Sequence, residues 1–367
     1  MSIPIPPRRR LLNPGPVTLS DGVRAAMNVA DQCHREPQFL RLMRDVRNRL
    51  ATLYPSSDPR RAVLVTGSGT AAVESMLATF VPKDRPAVVI DGGVYGARMA
   101  EMIRRHGKPL HVVKNEWTQP ADLEQLDTVL TKHDASFVVA VHHETTTGRI
   151  EDLTALASVA ARHGVPMLID GVSSFGGVSI DLDALNIAAI AGTSNKCLHS
   201  VPGTAFVVAR ADLLDAPTQA PSLYLDLATG DAAQQKGFPA FTPAVQTVAA
   251  LDVAIDELTG AGGVAARQQT YLDRTARVLN ITSRLSIRPL LSHNRGPILT
   301  AFELPAGLTF ERLDEHLLKQ DFVIYAGQKH LLDKIFRIAV MGDLTDRDFD
   351  DLERSLTEIV TSSTPNR

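Results

Sequence analysis

Residues 62–80 read AVLVTGSGTAAVESMLATF, a stretch in which a strand, a turn and a helix follow one another without a spacer. The run AVLVT (62–66) is short, apolar and valine-rich, as a strand buried on both faces requires. It breaks at Gly67-Ser68-Gly69, and from Ala71 onward apolar residues recur at helical spacing. Glycines permit the tight turn, and the first N–H groups of the helix are left without partners. Gly67-Ser68-Gly69-Thr70-Ala71-Ala72 is therefore a candidate anion site, although such turns also occur with nothing bound.

The same alternation continues downstream. AVVID (87–91), LHVVK (110–114), SFVVAVH (136–142), PMLID (166–170) and TAFVVA (204–209) read as further buried strands. Between them, AAVESMLATF, YGARMAEMIRRHG and LTALASVAARHG have helical spacing, the last two closing on a glycine stop signal. This predicts a doubly wound α/β domain with a mainly parallel sheet between helices, its ligands gathered beyond the carboxyl ends of the strands. A Pro- and Ala-rich stretch at 216–243 marks a shift in composition. Beyond it, one long helical pattern runs from Val245 into the 270s. PILTAFEL, DFVIY and KIFRIAV then read as strands and DRDFDDLERSLTEIV as a last helix, which predicts a small α+β domain. The expected division is 1–20 as an N-terminal segment, 21–255 as the large domain and 256–367 as the small one. The first fifty residues are expected to pack with the C-terminal part.

The chain has 367 residues, 44% of them hydrophobic and 22% charged, with a net charge of -3. That balance disfavours nucleic acid or an anionic membrane as the main partner. The start, MSIPIPPRRRLL, has no apolar run behind its arginines, so no signal peptide is expected and the cytoplasm is the expected compartment. Cys33 and Cys197 stand alone, without a second Cys or a His at ligand spacing, so neither a disulfide nor a metal site is expected.

Gly67–Ala72 also fits G-x-G-x-x-A, and Asp91 ends the next strand about 20 residues on, where a ribose-binding acid belongs. A nucleotide-dependent oxidoreductase is thus one reading. Two further residues favour another. Asp170 ends PMLID, and Lys196 follows the apolar run LNIAAIAG in Thr193-Ser194-Asn195-Lys196. A lysine at one strand end and an acid at another suit pyridoxal phosphate. The lysine forms a Schiff base, and the acid keeps the pyridine nitrogen protonated so that the ring accepts electrons.

GSGTAAVES, GVYGAR, HHETTTG, IDGVSSFGG and SNKC-x-x-x-VPG stand in the order found in class V aminotransferases. The chain most resembles the 2-aminoethylphosphonate:pyruvate aminotransferase family, and is similar also to the alanine:glyoxylate and serine:pyruvate group. The resemblance runs from LLNPGP (11–16) to FRIAVMG (336–342). It implies the fold of type I pyridoxal-phosphate enzymes, and transfer of an amino group from 2-aminoethylphosphonate to pyruvate. It makes Lys196 the cofactor-bearing lysine and proton shuttle, and Asp170 the partner of the pyridine nitrogen. Tyr95 and Val172 would flank the ring, and Thr145 would bond its phenolic oxygen. Ser68, Gly69 and Thr70 would hold the phosphate, with Asn195 nearby. Thr242 in FTP would reach the phosphate of a neighbouring subunit, which implies a homodimer with shared sites. Arg337 would grip the substrate's acidic end, with Asn13 and Gly15 of the N-terminal loop beside it. His34, His142 and His143 read more simply as makers of local hydrogen bonds, and Cys197 as packing.

The sequence departs from that pattern at the substrate end. Pro239 and Ala240 stand where an arginine is expected before FT, and Tyr325-Ala326-Gly327 leads into an unusual Gln328-Lys329-His330. A donor such as serine, alanine or another aminophosphonate, with pyruvate or glyoxylate as acceptor, is the alternative within the family.

Overall fold

The computed structural model describes residues 8–363; the first residues of the expected N-terminal segment, 1–7, lie outside them. A seven-stranded sheet runs in the order Arg60–Gly67, Gly203–Arg210, Ile187–Thr193, Met167–Asp170, Phe137–Val141, Ala87–Asp91, Leu110–Lys114. All pairings are parallel except those of Gly203–Arg210, which runs antiparallel to both its neighbours. Alternate residues serve two cores: Val88, Ile90, Val138 and Ala140 face one helical layer, Ala87, Val89, Val139 and Val141 the other. Both faces being covered is why these strands read as unbroken apolar runs. The expected helices are Gly69–Phe80, Val94–Arg105 and Leu153–Arg162, and Gly107 and Gly164 after the last two adopt φ of +66° and +65°.

A third core joins the C-terminal elements: Leu299–Glu303, Ile335–Ala339 and Tyr325–Ala326 form a small antiparallel sheet backed by Phe310–Lys319 and Asp346–Ser363. Three expectations need correction here. The long pattern from Val245 is two helices, Val245–Gly260 and Gly263–Arg284, parted where Gly262 and Gly263 both take positive φ. DFVIY is two short strands; Phe322–Val323 pairs with Arg10–Leu11, whereas Tyr325–Ala326 pairs with the strand of Arg337. The first fifty residues divide as well. Leu12 and Val17 join the C-terminal core, but Phe39, Met43, Val46 and Leu50, one face of Pro37–Ala51, pack on the large sheet. No helix among the described residues is long and apolar enough to cross a membrane.

Candidate active site

The chain leaves Ala87–Asp91 to one side for Leu110–Lys114 and to the other for Phe137–Val141 and the strands beyond, so the crevice between these halves opens at their carboxyl ends. Asp170 is the last residue of its strand and pairs in register with Ala191, which places it at the same sheet end as the turn bearing Lys196. The Asp170 carboxylate is buried and its Oδ1 accepts the Val172 N–H at 2.9 Å. Burial lifts its pKa from 3.8 to about 6, against the pull of the Val172 N–H and of Lys196. The Lys196 ammonium donates to Ser173 Oγ at 2.8 Å and lies 5.8 Å from the centre of the Tyr95 ring.

Gly15 rests on the lysine. Its φ is +117°, and a Cβ there would stand 2.9 Å from Lys196 Cγ and 3.3 Å from the Asn195 carbonyl. Asn13 braces this loop by donating to the Pro16 carbonyl at 3.1 Å. Its own Oδ1 is buried without a partner.

Ser68 caps Gly69–Phe80 in extended conformation but makes no side-chain cap hydrogen bond. Its carbonyl takes the Ala71 and Ala72 N–H groups, which leaves those of Gly69 and Thr70 without partners among the described residues. A Cβ on Gly69 would lie 2.7 Å from Val172 Cγ1 and 3.2 Å from Thr193 Cβ. The glycine-rich turn is thus pressed against the strand ends that carry Asp170 and Lys196. Asn195 Oδ1 accepts from the Thr193 hydroxyl at 2.8 Å.

Tyr95, in the first turn of its helix, lies beside the carboxylate of Glu144, which stands in HHETTTG with nothing in that motif to mark it. Its N–H donates to Glu144 Oε2 at 3.1 Å, and Gly93 leaves room for that side chain, since a Cβ there would sit 2.3 Å from Glu144 Cδ. Arg98 lies with its guanidinium 4.9 Å from the Tyr95 ring centre and reaches Thr70 Oγ1 at 3.4 Å. Ser173 stands within IDGVSSFGG, but its approach to Lys196 arises only from the sheet register.

Thr145 is fully buried with its hydroxyl unpartnered, and its carbonyl accepts from Arg337 Nη1 at 2.9 Å. Arg337 Nε donates to the Ala326 carbonyl at 2.9 Å. Arg337 is 2% exposed, and among the described residues it has no carboxylate within ion-pair distance and no hydrogen bond from Nη2. Gln328 Oε1 lies 3.3 Å from the Thr146 hydroxyl, next to the same loop. Thr242 is exposed and lines an open groove with His34, Arg35, Phe238 and Pro239; the other candidate residues do not line it.

His142 bonds Ser174 Oγ at 2.9 Å, and His143 Nδ1 lies 3.4 Å from the Ser173 carbonyl. Burial pushes the Cys197 thiol up to about 12 and it packs 3.7 Å from Met341 Sδ. The dinucleotide reading does not survive the topology. Four strands stand between Arg60–Gly67 and Ala87–Asp91, so Asp91 is not on the strand adjacent to the glycine turn.

Comparison with known proteins agrees with this geometry. The model of the family Aminotransferase class-V matches residues 23–332. A 2-aminoethylphosphonate--pyruvate transaminase of Vibrio cholerae is 35% identical over 351 residues, 93% of this chain and 95% of that protein. One from Bacillus mycoides is 33% identical over 355 residues, 95% and 97% of the two chains. The crystal structure of alanine--glyoxylate aminotransferase from Nostoc sp. superposes with a TM-score of 0.90 at 26% identity, covering 98% of this chain and 97% of that one. A match to the family model over most of its length, joined to relatives above 30% identity along nearly the whole chain, makes this protein a member of the class V aminotransferase family.

Proposed function

We propose that the protein is a pyridoxal-phosphate transaminase that moves the amino group of 2-aminoethylphosphonate to pyruvate, giving phosphonoacetaldehyde and alanine. The observation that carries the substrate reading is Arg337: a buried guanidinium with no carboxylate within ion-pair distance, and with no hydrogen bond from Nη2 among the described residues, suits an acidic group from outside the chain. The relatives' names supply the choice of phosphonate.

The residues fit the cofactor. Two free N–H groups and an unused hydroxyl at Ser68, Gly69 and Thr70 suit a phosphate, with Asn195 nearby. The orphaned Thr145 hydroxyl suits the phenolic oxygen, Tyr95 and Val172 the two ring faces, and Asp170 the protonated pyridine nitrogen. Once bound, the cofactor withdraws electrons from the amino-bearing carbon of the donor. Lys196 would hold the cofactor and, once the donor's amine has displaced it, its freed amine would take the proton from that carbon and return it one position away. Asp170, ionised at neutral pH, would accept the pyridine N–H, while Arg337, with Asn13 and Gly15 closing over Lys196, would orient the donor by its acid end.

Thr242 belongs to this site as a residue of a second copy, which makes the protein a homodimer with shared sites. Exposed Leu223, Tyr224, Phe238 and Phe241 around it supply an apolar surface for that contact. We assign 21–255 as the large domain, 256–367 as the small one and 1–20 as an N-terminal segment that lines the site through its described part, and the compartment as the cytoplasm. A second reading keeps the chemistry and changes the donor to serine, alanine or another aminophosphonate. Pro239, Ala240 and Gln328 favour it, because they leave Arg337 without a second cation.

The test is the visible spectrum of the cofactor-loaded protein mixed with 2-aminoethylphosphonate and no acceptor, with Lys196→Ala as blank. The yellow band is expected to fade and to return with pyruvate. A band that fades only with serine or alanine favours the second reading, and absence of any band removes Lys196 as cofactor carrier.

A further inference from the structure

His199, three residues after Lys196, holds φ +60°, a left-handed conformation uncommon for a residue with a Cβ. Its side chain is tethered. The Gly342 N–H donates to His199 Nε2 at 2.8 Å, and the Tyr271 hydroxyl reaches the same nitrogen at 2.6 Å. A backbone N–H only donates, so Nε2 is the unprotonated nitrogen and the hydrogen sits on Nδ1. Burial, with Arg267 and Arg274 nearby, holds the imidazole well below its ordinary pKa and therefore neutral.

The partners belong to the other core. Tyr271 is on Gly263–Arg284, and Gly342 follows by five residues the Arg337 of Ile335–Ala339. Two contacts reinforce the link: Arg267 donates to the Cys197 carbonyl at 2.7 Å, and Cys197 Sγ meets Met341 Sδ. The N-terminal loop is drawn into the same knot, because the Asp343 N–H donates to the Thr18 carbonyl at 2.8 Å. One imidazole thus joins the turn bearing the lysine to the strand bearing the arginine.

We propose that His199 is a positioning residue: through Gly342 and Tyr271 it fixes the span between Lys196 and Arg337, and so selects donors by the distance between their amine and their acid group. This rests on the reading of those two residues as the amine and acid ends of the substrate site.

The experiment uses the full-length holoenzyme and the variants His199→Gln, His199→Phe and Tyr271→Phe. Glutamine still offers an acceptor to Gly342; phenylalanine offers none. Amide hydrogen exchange of the peptide containing Gly342 reads the tether without any turnover. It is expected to quicken by roughly tenfold in His199→Phe, the worth of one lost hydrogen bond, and to stay near wild type in His199→Gln. In parallel, kcat and KM are measured for aminomethyl-, 2-aminoethyl- and 3-aminopropylphosphonate, and for alanine, β-alanine and 4-aminobutyrate. The wild type is expected to prefer one length sharply. His199→Phe and Tyr271→Phe are expected to flatten that preference, chiefly through KM, and His199→Gln to keep it. Unchanged exchange in His199→Phe, or an equal fall for every length, overturns the proposal. If the wild type prefers a length only among the carboxylates, the phosphonate assignment fails while the tether stands.

Discussion

Among the residues assigned to the cofactor, Asp170 is the one whose charge burial opposes. Its carboxyl is buried and accepts one backbone N–H, so the charged form is poorly solvated and the pKa stands near 6 rather than 3.8. The folded protein therefore binds this proton more tightly than the unfolded chain does. The sign follows: stability is retained below about pH 4 and lost as pH rises to about 6, a loss of roughly 3 kcal/mol in the ligand-free protein. Asp170→Asn keeps the shape and the Val172 acceptor while removing the charge. Ligand-free Asp170→Asn is expected to exceed wild type by about that amount in urea denaturation at pH 8 and to match it near pH 4. With the cofactor bound, the order is expected to reverse, because only the carboxylate pairs with a protonated ring nitrogen, and turnover should fall by at least about a hundredfold. Equal stability of the two proteins at pH 8 would mean that the carboxylate is solvated in a way its burial does not suggest.

The helix Gly69–Phe80 serves the site with its amino end and is held by a buried lysine at the other. Its amino end presents the free N–H groups of Gly69 and Thr70, and its carboxyl end receives Lys108, whose buried ammonium donates to the carbonyls of Leu77, Ala78 and Val81. A cation there complements the helix dipole and satisfies the Ala78 and Val81 carbonyls, while the Leu77 carbonyl also takes the Val81 N–H. Lys108→Met is expected to cost on the order of 3 kcal/mol in denaturant titration, by leaving the Ala78 and Val81 carbonyls dry and unpaired. An unchanged midpoint would show that water replaces the ammonium. Nothing in RRHGKPL announces this, since the acceptors lie 27 to 31 residues away. The strands themselves were legible because burial on both faces leaves a continuous apolar run. The reversal of Gly203–Arg210 was not, since an antiparallel strand buried on both sides has the same composition as a parallel one. Lys196, Asp170 and the glycine turn were legible as strand ends. Glu144 and His199 were not, because their partners come from elements distant in sequence.

For the molecule as a whole, acid is the revealing variable. His142 and His143 are both buried at the mouth of the sheet, and burial pushes them down to about 3 and about 4. They stay neutral in the folded protein while the unfolded chain protonates them from about pH 6.5 downward. Each therefore contributes stability that is complete above pH 6.5 and is lost progressively as pH falls toward its folded pKa. Asp170 acts in the opposite sense over an overlapping range, so acid both strengthens and weakens the same crevice. The two effects separate by substitution. His142 Nδ1 lies 2.9 Å from the Ser174 hydroxyl, a contact that asparagine can keep without taking up a proton. Between pH 6.5 and pH 5, His142→Asn is expected to lose about 2 kcal/mol less unfolding free energy than wild type, one histidine's share of the linkage. Urea titrations of the ligand-free proteins at several pH values across that interval measure it. Parallel curves would show instead that His142 is protonated in the fold, with Ser174 as the acceptor of its second N–H.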